Sequence, residues 1–204
     1  MKIVVATHNK DKFKELYYGL KSLNVELLSL DDFPEIGEII EDGETLEENA
    51  LIKARAVNQL TSLPAISDDT GLSVDALNGA PGVYSARYAG ESSTYLDNVN
   101  KMLLEMKNIS KDQRGAMFST VMAYVDGNKE LIADGFVKGM ITNKIKGIGG
   151  FGYDSIFYVC NKGKTFSEMT IEEKNLISHR SKAIQALKAK LAPYLTNLNI
   201  KENA

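Results

Sequence analysis

Ile3-Val4-Val5-Ala6 is a short run with no polar residue in it, the pattern of a strand buried near the middle of a sheet. Such a strand needs helices packed against it, and the sequence supplies them. Phe13, Leu16 and Leu20 recur at helical spacing and predict a helix over about Lys10–Leu20. Val25–Leu30 reads as a second strand. The acidic stretch Asp31–Gly43, with Pro34, Gly37 and Gly43, reads as loop with a short extended piece at Ile39-Ile40.

Thr45-Leu46-Glu47-Glu48 is a capping box. The helix it opens should run to about Leu60, burying Leu46, Ala50, Ala54, Val57 and Leu60, with Pro64 marking its end. Separate strands are expected around Ala65-Ile66 and Leu72–Val74, then a glycine-rich loop from Asn78 to Gly90. Ser93 or Thr94 should cap a helix with Leu96, Val99, Leu103 and Met106 on one face. Met117–Val125 and Leu131–Val137 read as paired strands about an Asp126-Gly127-Asn128 turn. Five glycines mark a loop from Gly139 to Gly152, Ser155–Cys160 is strand-like, and a last helix over about Ser178–Leu195 presents Ile184, Leu187, Leu191 and Leu195. Strands interleaved with helices predict an α/β fold around a largely parallel or mixed sheet.

The length of 204 residues suits one compact domain spanning 1–204, with ample core. A formal net charge of -3 removes the general electrostatic case for nucleic-acid binding. Cys160 is the only cysteine, so no intrachain disulfide and no cysteine-based zinc site can form. The apolar start is too short for a signal peptide, and no run approaches membrane-spanning length, so a cytoplasmic protein without membrane partners is expected.

Several segments carry chemistry. Ser67-Asp68-Asp69-Thr70-Gly71-Leu72 follows Leu63-Pro64-Ala65-Ile66 and puts two acids at the end of a short apolar strand. Adjacent carboxylates repel, and a hard cation or a shared proton relieves the repulsion. Magnesium with a phosphorylated substrate fits this pair; so does a plain turn with solvated acids. Thr7-His8-Asn9-Lys10-Asp11-Lys12 lies between strand and helix, where α/β sheets gather ligands and helix N-termini offer amides. Its hydroxyl, amide and ammonium groups suit a phosphate, or Asn9 simply caps the helix while the lysines are solvated.

Gly147-Ile148-Gly149-Gly150-Phe151-Gly152 formally fits a dinucleotide fingerprint, but strand chemistry follows it where a helix is required, so that reading is rejected. Phe151 and Tyr153 beside Asp154 suit a nucleobase by stacking and polar contact, or are core aromatics at a strand start. Lys174, His179 and Arg180 offer donors for the carbonyl oxygens of a base, against the plainer reading of surface residues at a helix start. Glu41, with Lys53 on the capped helix, is an acid that could complete oxygen coordination with Asp69. With His8 and His179 as the only histidines, a histidine-rich metal site is excluded. No Walker loop, GxSxG elbow or HExxH is present.

Taken in order, these segments resemble the inosine triphosphate pyrophosphatase family, also called Ham1-like. The matching pieces are Ala6-Thr7-His8-Asn9 with Lys12, Thr45 to Ala50 with Lys53, Ser67 to Leu72, Gly79 to Tyr88, Gly150 to Asp154, and Ser178-His179-Arg180. They cover essentially the whole chain. The resemblance implies an elongated, two-lobed α/β fold with a central mixed curved sheet flanked by helices and an active-site cleft between lobes, usually as a homodimer. It implies magnesium-dependent hydrolysis of ITP, dITP and XTP to the monophosphate and pyrophosphate. It makes Asp69 general base and metal ligand and Glu41 a second metal ligand. Thr7, His8, Asn9, Lys10, Asp11, Lys12 and Lys53 would hold the triphosphate, and Thr70 would touch substrate. Phe151, Gly152, Tyr153, Asp154, Lys174, His179 and Arg180 would surround the purine. Two departures stand out: Ser155 where the family commonly has proline, and Thr70 where serine is commoner.

The chemistry agrees. Attack of water on the α-phosphorus needs neutralisation and positioning, which magnesium, Lys12 and Lys53 would supply while Asp69 orients or deprotonates the water. Donors from His179 and Arg180 would meet the 6-oxo group of hypoxanthine or xanthine, and adenine's amino group would leave them unpaired. Two alternatives differ in outcome. A catalytically silent purine-nucleotide sensor need not keep Asp68-Asp69, and a Maf-like pyrophosphatase of other modified nucleotides carries a serine-rich first loop followed by arginines, unlike Thr7–Lys12.

Overall fold

A computed structural model describes residues 1–127 and 129–202, with side chains as far as 197. The elements run β1 (Lys2–Val5), α1 (Lys10–Leu20), β2 (Glu26–Ser29), α2 (Leu46–Thr61), β3 (Ala65–Val74), β4 (Pro81–Gly82), α3 (Tyr95–Glu105), β5 (Gly115–Asp126), β6 (Lys129–Ile141), β7 (Phe157–Val159), β8 (Lys164–Thr165), α4 (Ile171–Asn175) and α5 (His179–Glu202). The strands form a mixed sheet in the order β2-β1-β3-β5-β6-β7-β8, with β4 paired to β3. β1 is parallel to both β2 and β3, with Val4 opposite Leu28 and Ala65, while β6–β7 and β7–β8 are antiparallel. The helices flank this sheet.

Two compact units divide the chain. The first holds residues Met1–Asp69, Thr120–Gly135 and Arg180–Ala204; the second holds Thr70–Ser119 and Phe136–His179. In the first unit the strand period of two sorts the core into two clusters. Ile3, Val5, Ile66, Met122 and Tyr124 pack with Leu16 and Leu20 of α1 and with Ile184, Leu187, Leu191 and Leu195 of α5. Their immediate neighbours Val4, Ala6, Ala65, Ala123 and Val125 pack with Ala50, Leu51, Ala54 and Val57 of α2. The all-apolar run Ile3–Ala6 is thereby explained: both of its faces are covered. The second unit has a single core in which Val99 and Met102 of α3 meet Leu72, Val74, Phe118, Val137, Phe157 and Phe166.

The capping box is present: Thr45 Oγ1 accepts from the Glu48 amide and Glu48 accepts from the Thr45 amide. Thr94 caps α3 in the same way. Several expectations are corrected. The strands expected at Ala65-Ile66 and Leu72–Val74 are one ten-residue strand, β3, so the two acids stand inside a strand rather than in a turn at its end. Gly71 does not break it, because Leu72 and Ser73 pair with β4. Leu60, expected in the core, is 66% exposed, and so is much of Leu96, where Met102 is buried instead. Helical spacing fixes which residues share a face, not how far along the helix its neighbour extends. Residues 153–155 are turn, and the strand expected from Ser155 begins at Phe157. No regular structure forms at Ile39-Ile40. The expected Asp126-Gly127-Asn128 turn falls partly outside the described residues, at Asn128, but β5 and β6 that flank it are adjacent in the sheet. Among the described residues no helix is long and apolar enough to cross a membrane.

Candidate active site

In the first unit the alternation of β3 decides the electrostatics. Ser67 donates to the Ala50 carbonyl of α2 at 2.5 Å, so odd-numbered residues of this stretch face α2. Asp69, two residues on, lies on that side: its Oδ1 is 3.6 Å from Lys53 Nζ of α2, which also reaches Glu41 Oε2 at 2.6 Å. Asp68 faces the other way. Its Oδ2 accepts from Arg180 Nε at 3.1 Å and lies 3.4 Å from Lys12 Nζ of α1. Arg180 Nη1 also donates to Glu15 at 2.5 Å. The two carboxylates therefore make these direct contacts with different cations, because side chains one residue apart in a strand point to opposite faces.

Charge follows from this geometry. Burial pushes the Asp68 carboxyl up, but Lys12, Arg180 and Lys53 outweigh it and hold Asp68 well below the usual carboxylate range. Burial raises Asp69, and Glu41 and Asp68 add to the rise, so that despite Lys53 and Lys12 it stays above its ordinary value. Burial lowers Lys53, but Asp69, Glu41 and Asp68 outweigh it and raise the ammonium. Lys12 is lowered by its burial, to which Lys53 and Arg180 add. Asp69 is thus a carboxyl with raised affinity for a proton, beside an ammonium that stays charged.

The Thr7–Lys12 loop has largely local bonds. Asn9 Oδ1 accepts from the Asp11 and Lys12 amides and caps α1, while Thr7 Oγ1 accepts from the Asn9 amide. A His8 ring nitrogen lies 3.4 Å from the Gly37 carbonyl. Lys10 is exposed; Asp11 and Lys12 are half-buried. Of this loop, Lys12 is the side chain brought to the acids.

The second unit assembles another group. Asp154 Oδ2 accepts from the Phe151 amide at 2.9 Å and pairs with Lys174 Nζ at 2.7 Å, with both side chains buried. Lys174 Nζ also sits 4.9 Å from the centre of the Phe151 ring, and Tyr95 packs on that ring at 5.9 Å. Tyr153 is buried and donates to the Ser85 carbonyl at 2.9 Å. Gly150 takes φ +72°, and a Cβ there would come within 2.2 Å of Asp154 Oδ2, so glycine is required for the loop to close on this carboxylate. Gly152 shares the left-handed conformation, and Thr70 is half-buried in β3. His179 is buried and stacked on Phe118, with centroids 4.5 Å apart and planes within 11°.

His179 and Arg180 thus serve different neighbours. Consecutive residues of a helix point about 100° apart, which takes the imidazole to Phe118 and the guanidinium to Asp68 and Glu15. Sequence reasoning did not single out Glu15 or Phe118 as the neighbours of these two side chains. Glu15 had a signal, standing three residues after Lys12 on the same helical face. Phe118, one apolar residue in a strand, had none.

The donor set around Lys53 is all oxygen. Among the described residues no three His, Cys, Asp or Glu side chains form a metal-binding group. Magnesium, however, is commonly held by one or two carboxylates with substrate phosphates and water completing its shell, and Glu41 with Asp69 fit that pattern.

Comparison with known proteins adds to this geometry. The model of the Ham1 family matches residues 3–190. The dITP/XTP pyrophosphatase of Thermoanaerobacter sp. (strain X514) is 48% identical over 188 residues, 92% of this chain and 95% of that protein. The dITP/XTP pyrophosphatase of Escherichia coli (strain K12) is 44% identical over 189 residues, 91% and 95% of the two chains. The structure of the Staphylococcus aureus Ham1 protein superposes with a TM-score of 0.85 at 35% identity, covering 95% of this chain and all of the other.

Proposed function

The chain belongs to the Ham1 family, and we propose that it hydrolyses non-canonical purine nucleoside triphosphates (ITP, dITP and XTP) to the monophosphate and pyrophosphate, cleansing the nucleotide pool. Relatives named dITP/XTP pyrophosphatase, 44 to 48% identical over nine tenths of the chain, support the activity. The observation that carries the chemistry is the contact of Lys53 with both Glu41 and Asp69.

Roles are assigned unit by unit. In the first, Asp69 takes a proton from the attacking water and, with Glu41, would hold Mg2+. That ion, when bound, neutralises phosphate charge and polarises the phosphoryl oxygens. Lys12 and Lys53 stand against the phosphates, with the Thr7–Asp11 loop beside them. Arg180 acts through Asp68, fixing the charge that Lys12 feels. In the second unit, Phe151 offers a ring face to the purine, Gly152 keeps its approach open, and Asp154 with Lys174 locks the loop. Tyr153 anchors that loop to Ser85, His179 donates to the 6-oxo group, and Thr70 touches substrate. Residues 1–204 act as one domain of a cytoplasmic homodimer.

Phosphate release in the presence of inorganic pyrophosphatase, compared on ITP, XTP, ATP, GTP and dTTP with Mg2+, tests the reading. ITP and XTP should be turned over at least tenfold faster than ATP. Equal rates on ATP would overturn it. Sedimentation of the purified chain tests the dimer.

A further inference from the structure

The second unit also contains a cavity of about 540 Å3 that shares no lining residue with either group above. Lys107, Lys111, Arg114 and Lys146 line it and no acid does, in a chain whose formal net charge is -3. Arg114 is 6% exposed. Its Nε donates to the Ile141 carbonyl at 2.7 Å, Nη1 to those of Met106 and Ile109 at 2.6 and 3.2 Å, and Nη2 to that of Thr142 at 2.7 Å. Those partners hold the guanidinium in place and are all neutral, so a full positive charge stands under the cavity with no carboxylate among its hydrogen-bond partners. Like charges gathered around a low-dielectric recess repel one another and raise the local concentration of anions. The remaining wall is different in kind. Met140 and Ile109 are apolar, and Tyr158 presents a ring with Lys146 Nζ 5.6 Å from its centre.

A bare phosphate would satisfy the lysines and leave the apolar wall wet; a neutral ring would do the reverse. The volume falls within the range of small-ligand sites, roughly 300–1,000 Å3. We propose that this cavity is a second ligand site that takes a nucleoside monophosphate, with the phosphate on Lys107 and Lys111 in the field of Arg114 and the base on Tyr158.

Isothermal titration with IMP and, separately, with inorganic pyrophosphate tests this on the intact chain. The comparison is between the wild-type protein, Lys107→Glu/Lys111→Glu, and Tyr158→Leu, with circular dichroism to confirm folding. The charge-reversed variant should bind one equivalent of IMP fewer than the wild type, while its turnover of ITP is unchanged. Tyr158→Leu should weaken that equivalent of IMP at least fivefold and leave pyrophosphate binding alone. Equal stoichiometry and affinity in the wild type and the charge-reversed variant would overturn the site, whether or not the catalytic group also binds IMP. Loss of pyrophosphate and IMP alike on charge reversal, with Tyr158→Leu silent for both, would overturn the nucleoside part and leave a phosphate site.

Discussion

Asp68 and Asp69 are adjacent in β3 and make different direct contacts: Asp68 with Arg180 and Lys12, and Asp69 with Lys53. Neutralising either removes one negative charge, yet the two changes should have opposite characters.

Asp69→Asn should lower ITP turnover by about 10²–10⁴-fold, the range expected for loss of a general base, with the melting temperature within a few degrees of wild type. Asp68→Asn leaves the buried Arg180 and Lys12 without their shared carboxylate and should cost on the order of 3–5 kcal/mol of stability. Urea unfolding of both variants, alongside ITP kinetics, distinguishes them.

Asp68 also predicts a limb of acid sensitivity. Its folded value lies below the ordinary 3.8, so the unfolded chain binds the proton more tightly. The stabilisation is complete above pH 4, falls as pH drops through the folded value, and raises stability with pH in between. Thermal melts from pH 7 to 3 should show this slope in the wild type and a flatter one in Asp68→Asn.

Lys174→Met removes the ammonium paired with the buried Asp154 carboxylate and should destabilise by roughly 3–5 kcal/mol. Asp154→Asn/Lys174→Met should recover part of that loss. Both should raise the KM for ITP, because Asp154 fixes the Phe151 amide. Chemical denaturation separates the pair from its individual members.

Phe118→Leu removes the ring against which the His179 imidazole lies flat. KM for ITP should rise several-fold with kcat little changed, and the preference for ITP over ATP should narrow. His179→Gln, which keeps a donor, should retain more of that preference than His179→Leu.

Chelation should abolish turnover and Mg2+ restore it. Glu41→Gln should raise the Mg2+ concentration needed for half-maximal rate without changing the fold. A rate independent of Mg2+ would remove Glu41 and Asp69 from the role of ligands.

The sequence by itself determined the α/β class, the buried first strand, the cap at Thr45, and the core face of α5, because these depend on periodicity and on bonds between residues at most four apart. Family membership was legible for a related reason: short motifs in a fixed order survive as local strings. Tertiary structure alone decided that Asp68 and Asp69 diverge, since that required knowing that β3 runs unbroken through Gly71. It likewise decided that Arg180 lies on Glu15, 165 residues away, and that Phe118 stacks on His179. Contacts of this separation are set by how strands and helices pack, and no spacing along the chain encodes them.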